Sequence, residues 1–161
     1  MINQFEIYTD GATSNNGKSN SFGGWAYDIY QNDNIIYSRS GGEKPTTNQR
    51  MELLAIIKGL DALFNYFLSE KDDFYTIKVY TDSAYCQNCY NEKWWINWQK
   101  NSWKNASKKP VANQDLWLRL IPYFEDSNIQ LVKVKGHDTD WRNIKVDAAA
   151  VSAKFLMEED K

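Results

Sequence analysis

The sequence predicts an α/β fold organised on a five-stranded mixed sheet, an antiparallel meander joined to parallel strands, with helices on both faces. Three observations lead there. Phe5 to Gly11 is a short run rich in β-formers that stops at a glycine, the pattern of a strand ending at a sharp turn. The Tyr8, Thr9, Asp10 that closes it returns seventy-two residues later as Tyr80, Thr81, Asp82, so a second strand ends in the same way. Between the two, Leu53, Ile56, Ile57, Leu60, Leu63, Phe64 and Phe67 recur at helical spacing. A strand, a helix and a second strand of this kind make a parallel pair in one sheet.

The elements follow in order. The polar, small-residue run Gly11 to Ser21 reads as a loop. Phe22 to Tyr30 and Asn34 to Ser40 read as two strands around the turn-like Gln31, Asn32, Asp33, which gives the meander. Thr46 with Gln49 fits a capping box opening the first helix, which runs to about Ser69. After Asp82, Ser83 is placed to cap a short helix to about Tyr90. Asn113 is the expected cap of a helix stopping near Pro122, Ile129 to Val134 is the fifth strand, and an alanine-rich helix closes the chain. No linker or repeat divides the 161 residues, enough for one well-buried core, so residues 1–161 are expected to form one domain.

Composition narrows the function. No apolar run approaches the ~20 residues of a membrane span, and the first residues lack a signal-peptide pattern, so no membrane partner and a cytoplasmic location are expected. Cys86 and Cys89 are the only cysteines and His137 the only histidine, too few donors for a tetrahedral zinc site. The cysteine pair reads either as a thiol redox motif or as two reduced thiols one helical turn apart. Net charge is −2, yet Lys93, Lys100, Lys104, Lys108 and Lys109 fall in a stretch without an acidic residue. Trp94, Trp95, Trp98 and Trp103 are interleaved with these lysines. That mixture suits stacking plus phosphate contact, and equally a satellite core holding a protruding basic segment at about 92–112.

Carboxylates supply the candidate chemistry. Asp10 and Asp82 sit at the carboxyl ends of two strands, where open α/β sheets bind ligands. If those strands are neighbours, ~4.8 Å apart, the two acids share a site and repel unless a cation lies between them. Each is otherwise a simple turn or helix cap. Glu52 falls on the apolar stripe of the first helix, and Asp147 on or beside the packing stripe of the last. A carboxylate so placed needs a partner or a metal, although Glu52 also suits a helix N-terminus electrostatically. Four such acids form a hard-oxygen donor set that suits Mg²⁺ or Mn²⁺.

Tyr8 to Gly11, Thr47 to Leu53 (Thr, Asn, Gln, Arg, Met, Glu, Leu), Tyr80 to Ser83, Val134 to His137 and Asp147 resemble type 1 ribonuclease H in sequence and order. The resemblance spans about Phe5 to Phe155. It implies a ribonuclease H-like fold and a monomeric endoribonuclease that cuts the RNA strand of RNA/DNA hybrids, leaving 5′-phosphate and 3′-hydroxyl ends. By that likeness Asp10, Glu52, Asp82 and Asp147 would hold two Mg²⁺ ions, with Mn²⁺ as a substitute, and His137 would aid proton transfer or product departure. Trp94, Trp117, Lys100, Lys104, Lys108 and Lys109 would grip the DNA strand. Thr47, Asn48 and Gln49 would contact backbone and bases, and Gly11, Ala12 and Thr13 would offer backbone groups to RNA 2′-hydroxyls. The loop after Asp10 is longer than in common bacterial members, and Ala84 stands where a glutamine often follows Thr, Asp, Ser. A non-catalytic hybrid-binding module is the alternative reading.

Overall fold

The computed structural model describes residues 3–69, 74–134 and 140–159. Its five strands are β1 (Asn3–Ser14), β2 (Phe22–Gln31), β3 (Asn34–Glu43), β4 (Tyr75–Thr81) and β5 (Ile129–Lys133), in the sheet order β3-β2-β1-β4-β5. β1 pairs antiparallel with β2 and β2 with β3, whereas β1, β4 and β5 are parallel. The predicted meander continued by parallel strands is therefore the observed sheet.

Among the described residues five helices cover it: α1 (Asn48–Tyr66), α2 (Ala84–Glu92), α3 (Trp94–Lys100), α4 (Gln114–Phe124) and α5 (Trp141–Glu159). Phe5, Ile7, Tyr27 and Ile29 point to one face of the sheet and bury Leu53, Ile56, Ile57, Leu60 and Leu63 of α1, with α2, α3 and α4 extending that core. On the other face Tyr8, Ala26 and Tyr30 meet Val146 and Ala150 of α5. The alternation of strand side chains produces this two-sided core. Among the described residues no helix is long and apolar enough to cross a membrane.

Several boundaries differ from expectation. β1 does not end at Gly11; it stays paired with β2 through Ser14, so the loop is reduced to residues 15–21. The helix-α1 cap is Thr47, whose side chain accepts from the Arg50 amide at 3.1 Å, while the Thr46 amide donates to Ser21 Oγ at 2.8 Å. Asn113 lies in the left-handed region at φ 61° and makes no side-chain cap. α4 runs through Pro122 to Phe124, because Leu120, Ile121 and Phe124 are all buried and that packing offsets one missing amide. Ser83 does cap α2, accepting from the Cys86 amide at 3.1 Å.

Candidate active site

β1 and β4 pair in register from Asn3↔Tyr75 to Tyr8↔Tyr80. Asp10 and Asp82 follow two residues beyond the last pair, at the end of the parallel ladder. Thr9 Oγ1 donates to the Tyr80 carbonyl at 2.8 Å and ties the two strands just below them. Glu52 arrives from α1. One carboxylate oxygen from each of Asp10, Glu52 and Asp82 lies within 4.8 Å of the other two.

Gly11 makes this approach possible. A Cβ there would lie 2.7 Å from the backbone nitrogen of Glu52 and 2.7 Å from the carbonyl carbon of Met51. Ordinary carbon contacts are ~3.5–4.0 Å, so only a residue without a side chain lets the first turns of α1 lie against β1. The glycine that reads as a strand stop in the sequence is a packing site between strand and helix.

Electrostatics show what such a cluster lacks. Burial, the Asp147 carboxyl within hydrogen-bonding reach and the Asp82 and Asp147 charges push the Asp10 carboxyl up to about 9. Burial, then the Asp10 and Asp82 charges, hold Glu52 well above the ordinary carboxylate range. The Gly11 amide offsets only part of this at both groups. Glu52 Oε2 is buried without a hydrogen-bond partner. Among the described residues no arginine or lysine bridges these acids, and a donor set of carboxylate oxygens alone fits a hard divalent cation.

Asp147 approaches Asp10 from α5 and lies outside the three-acid cluster itself. The buried side of that helix carries Val146, Ala150 and Ala153, so Asp147 flanks the stripe, exposed, where it reaches Asp10. His137 lies outside the described residues.

The basic segment separates into a buried and a surface part. Lys93, Lys100, Lys104, Lys108 and Lys109 are all exposed. Lys93, at φ 52°, ends α2 and starts α3, turning the chain sharply between the two helices. Beyond α3 a small hairpin is closed by the Lys104 and Pro110 bridge and by the Val111 amide on the Trp103 carbonyl at 3.0 Å. Trp94 is half-buried, edge-on to Tyr85 with ring centroids 6.0 Å apart.

Trp117 corrects the sequence reading. It is fully buried, packs on Trp98 and Phe124, and donates from Nε1 to the Tyr85 hydroxyl at 3.0 Å. It supports Tyr85 from beneath and has no surface to offer a ligand. Trp95, at 2% exposure, is core as well.

Thr47 is half-buried and occupied as the helix cap, while Asn48 and Gln49 are exposed beside Glu52. Asn16 of the loop accepts from the Asn48 amide at 2.9 Å, so the loop after β1 also holds the start of α1. Gly11, Ala12 and Thr13 are half-buried strand residues, paired on one side with β2 and extending past the end of the ladder with β4.

Arg50 is a site-organising residue that sequence reasoning passed over. Its guanidinium bonds Glu43 at 2.9 Å and both oxygens of Asp115 at 3.1 and 2.9 Å, joining the end of β3 and the starts of α1 and α4. A cation in a helix's first turn opposes the helix dipole, and that was the available signal. Cys86 and Cys89 are buried free thiols. Burial raises the Cys86 thiol and pushes Cys89 up to about 12, which favours two reduced structural thiols over a redox pair.

A family model described as RNase H matches residues 2–155. Ribonuclease H of Syntrophomonas wolfei is 44% identical over 151 residues, covering 91% of this chain and 93% of that protein. Ribonuclease H of Treponema denticola is 43% identical over 156 residues, covering 92% and 95%. Among solved structures, a type 1 RNase H with the type 2 active-site motif shares the fold with a TM-score of 0.77 at 22% identity, over 96% of this chain and 73% of that one. A foamy viral protease-reverse transcriptase in complex with an RNA/DNA hybrid does so with a TM-score of 0.70 at 20% identity, over 94% of this chain and 20% of that one. Relatives of one name at more than 40% identity, matched along nearly their whole length, place this chain in the ribonuclease H family, as an endoribonuclease.

Proposed function

We propose that the protein hydrolyses the RNA strand of RNA/DNA hybrids, leaving 5′-phosphate and 3′-hydroxyl ends. The observation that carries this is the convergence of Asp10, Glu52 and Asp82 from three elements, with oxygens within 4.8 Å of one another and no protein cation between them among the described residues. The solved foamy viral relative of the same fold is in complex with an RNA/DNA hybrid. Asp10, Glu52, Asp82 and Asp147 would hold two Mg²⁺ ions, replaceable by Mn²⁺, whose charge serves the attacking water and the leaving oxygen of an in-line phosphoryl displacement.

The chain's own residues do the rest. Gly11, Ala12 and Thr13 extend beyond the β4 ladder, and backbone groups there that neither β2 nor, as with the Gly11 amide, the carboxylates use are available to RNA 2′-hydroxyls, the feature that separates RNA from DNA. Thr47, Asn48 and Gln49, at the start of α1 beside Glu52, contact the nucleic-acid backbone and bases. His137, a side-chain type that changes charge near neutral pH, moves a proton in the reaction. Trp94 offers a ring to a sugar or base of the DNA strand, and Lys100, Lys104, Lys108 and Lys109 neutralise its phosphates. The protein works as a monomer in the cytoplasm.

The test is cleavage of end-labelled RNA/DNA hybrid, double-stranded RNA and double-stranded DNA of one sequence, with Mg²⁺ and with chelator, against Asp10→Asn. Metal-dependent cutting of RNA in the hybrid alone is the expected result. Hybrid binding without cutting would establish a binding module instead, and cutting of the other duplexes would refute the substrate.

A further inference from the structure

The repeated Tyr, Thr, Asp motif contributes its aspartates to the site, and Thr9 ties the two strands together. Its tyrosines have no part in the chemistry above. We propose that Tyr8 is a positioning residue whose hydroxyl fixes α5 along β1 and thereby holds Asp147 against Asp10. The inference rests on the reading of the four acids as metal ligands.

Tyr8 stands two residues before Asp10 on β1, and Tyr80 two residues before Asp82 on β4. The two rings stack with centroids 4.4 Å apart and planes 10° from parallel, directly below the aspartates in strand order. Tyr30 of β2 closes the far side edge-on at 5.7 Å. Tyr8 is 4% exposed, so this aromatic layer leaves its ring little freedom.

The hydroxyl then leaves the sheet. Tyr8 Oη donates to Asp140 Oδ2 at 3.0 Å. The other oxygen of the same carboxylate, Oδ1, accepts from the Arg142 amide at 3.0 Å, and the Asp140 carbonyl accepts from the Ile144 amide at 3.1 Å. Asp140 is thus the cap of α5 with one oxygen and the strand anchor with the other. Arg142 strengthens the junction, with its guanidinium 4.6 Å from the Tyr30 ring centroid and ion pairs to Glu6 at 3.6 Å and Asp33 at 2.9 Å.

Seven residues beyond Asp140, two turns along the helix and on the same side, lies Asp147. Further on, α5 presses on Gly24, where a Cβ would lie 2.4 Å from the Ala150 carbonyl oxygen and 2.4 Å from the Lys154 amide nitrogen. Gly24 pairs with Ala12 of β1. Along β1 the contacts with α5 therefore run Tyr8 to Asp140, Asp10 to Asp147, and the Ala12 and Gly24 pair to Ala150. Close packing at Gly24 sets how near the helix lies. The directional hydrogen bond at Tyr8, together with the Arg142 ion pairs and the Lys145 ammonium 3.2 Å from Asp28 Oδ2 on β2, sets its position along the strand, and that position places the exposed Asp147.

Tyr8→Phe keeps the ring and removes the hydroxyl. Asp140→Ser keeps a helix cap and removes the acceptor that Tyr8 uses. Mn²⁺ is titrated calorimetrically into the full chain as wild type, Tyr8→Phe, Asp140→Ser, Asp147→Asn and the double variant Tyr8→Phe with Asp147→Asn. Tyr8→Phe and Asp140→Ser are each expected to weaken Mn²⁺ binding about three- to tenfold, at or below the ~10–100-fold that a direct outer-shell partner commands. The double variant is expected to bind no more weakly than Asp147→Asn alone, and kcat on hybrid to fall with KM unchanged. Should one variant fail to fold, the other carries the test. Wild-type Mn²⁺ affinity in the folded variants would overturn the proposal, as would a full Tyr8→Phe effect in the Asp147→Asn background. A wild type that binds no Mn²⁺ would overturn the metal reading itself, and this inference with it.

Discussion

Gly11→Ala tests whether the contact of β1 with α1 sets the distance between Asp10 and Glu52. The new Cβ would stand 2.7 Å from the Glu52 nitrogen and the Met51 carbonyl carbon, and 2.8 Å from the Met51 Cβ. Unstrained contacts are ~3.5–4.0 Å, so the first turns of α1 must retreat by about 1 Å. Two of the three atoms met are helix backbone and cannot rotate away. Misplacing a catalytic group by ~1 Å costs about 10²-fold in rate, and overpacking a buried contact costs ~1–3 kcal/mol. At this chain length the latter corresponds to ~2–4 °C in Tm per kcal/mol. The assay is kcat on hybrid at saturating Mg²⁺, paired with thermal unfolding, with Gly17→Ala as control. Gly17 has φ 78° and nothing within 4 Å of its would-be Cβ, so its variant carries backbone strain alone and is expected to keep full activity. A Gly11→Ala protein with wild-type kcat, or one whose activity falls only as far as its folded fraction, would refute the reasoning.

Because the Asp10 carboxyl is pushed up to about 9 from an ordinary 3.8, the native chain binds more protons than the unfolded one between those values. The stability of the metal-free protein must then fall as pH rises through that window. Asp10→Asn is expected to flatten this slope and to raise stability in chelator at pH 8 by about 1 kcal/mol, or ~2–4 °C in Tm, while abolishing cleavage; a lower Tm there would contradict it. Trp117→Ala is expected to cost ~3–5 kcal/mol of stability, whereas Trp94→Ala raises KM on hybrid with little change in Tm, and a reversal of the two in unfolding scans would contradict their placement. Replacing Lys104 and Lys108 together by alanine should reduce the slope of log affinity against log salt by about 2, read from hybrid binding at a series of salt concentrations.

Asp10, Glu52 and Asp82 were legible as one site because each rests on local periodicity. A strand that ends at Thr, Asp leaves that aspartate at the sheet's carboxyl edge, and a glutamate on an apolar helical stripe has to meet the sheet. Features set by tertiary contact were not legible. Gly11 reads as a turn glycine, and only the presence of α1 against it shows why the strand continues. Trp117, four residues beyond Asn113 in a helix near a lysine-rich stretch, looks like a ligand contact until the packing of α2 and α3 covers it. Pro122 should end a helix, yet Ile121 and Phe124 on either side of it are buried. Thr46 and Thr47 are adjacent potential caps, and the choice between them is made by Ser21, a residue twenty-five positions earlier that takes the Thr46 amide. The anchoring of Asp140 by Tyr8 spans 132 residues and has no local signature.

The claim on which the rest depends is that Asp10, Glu52, Asp82 and Asp147 form a divalent-metal centre. Manganese located by anomalous scattering, in crystals of the wild-type protein soaked in Mn²⁺, tests it most directly. The expected result is a peak between Asp10, Glu52 and Asp82, about 2.0–2.3 Å from an oxygen of each, that is lost in Asp10→Asn. Ordered carboxylates with no peak between them, or manganese bound only elsewhere on the surface, would contradict the account.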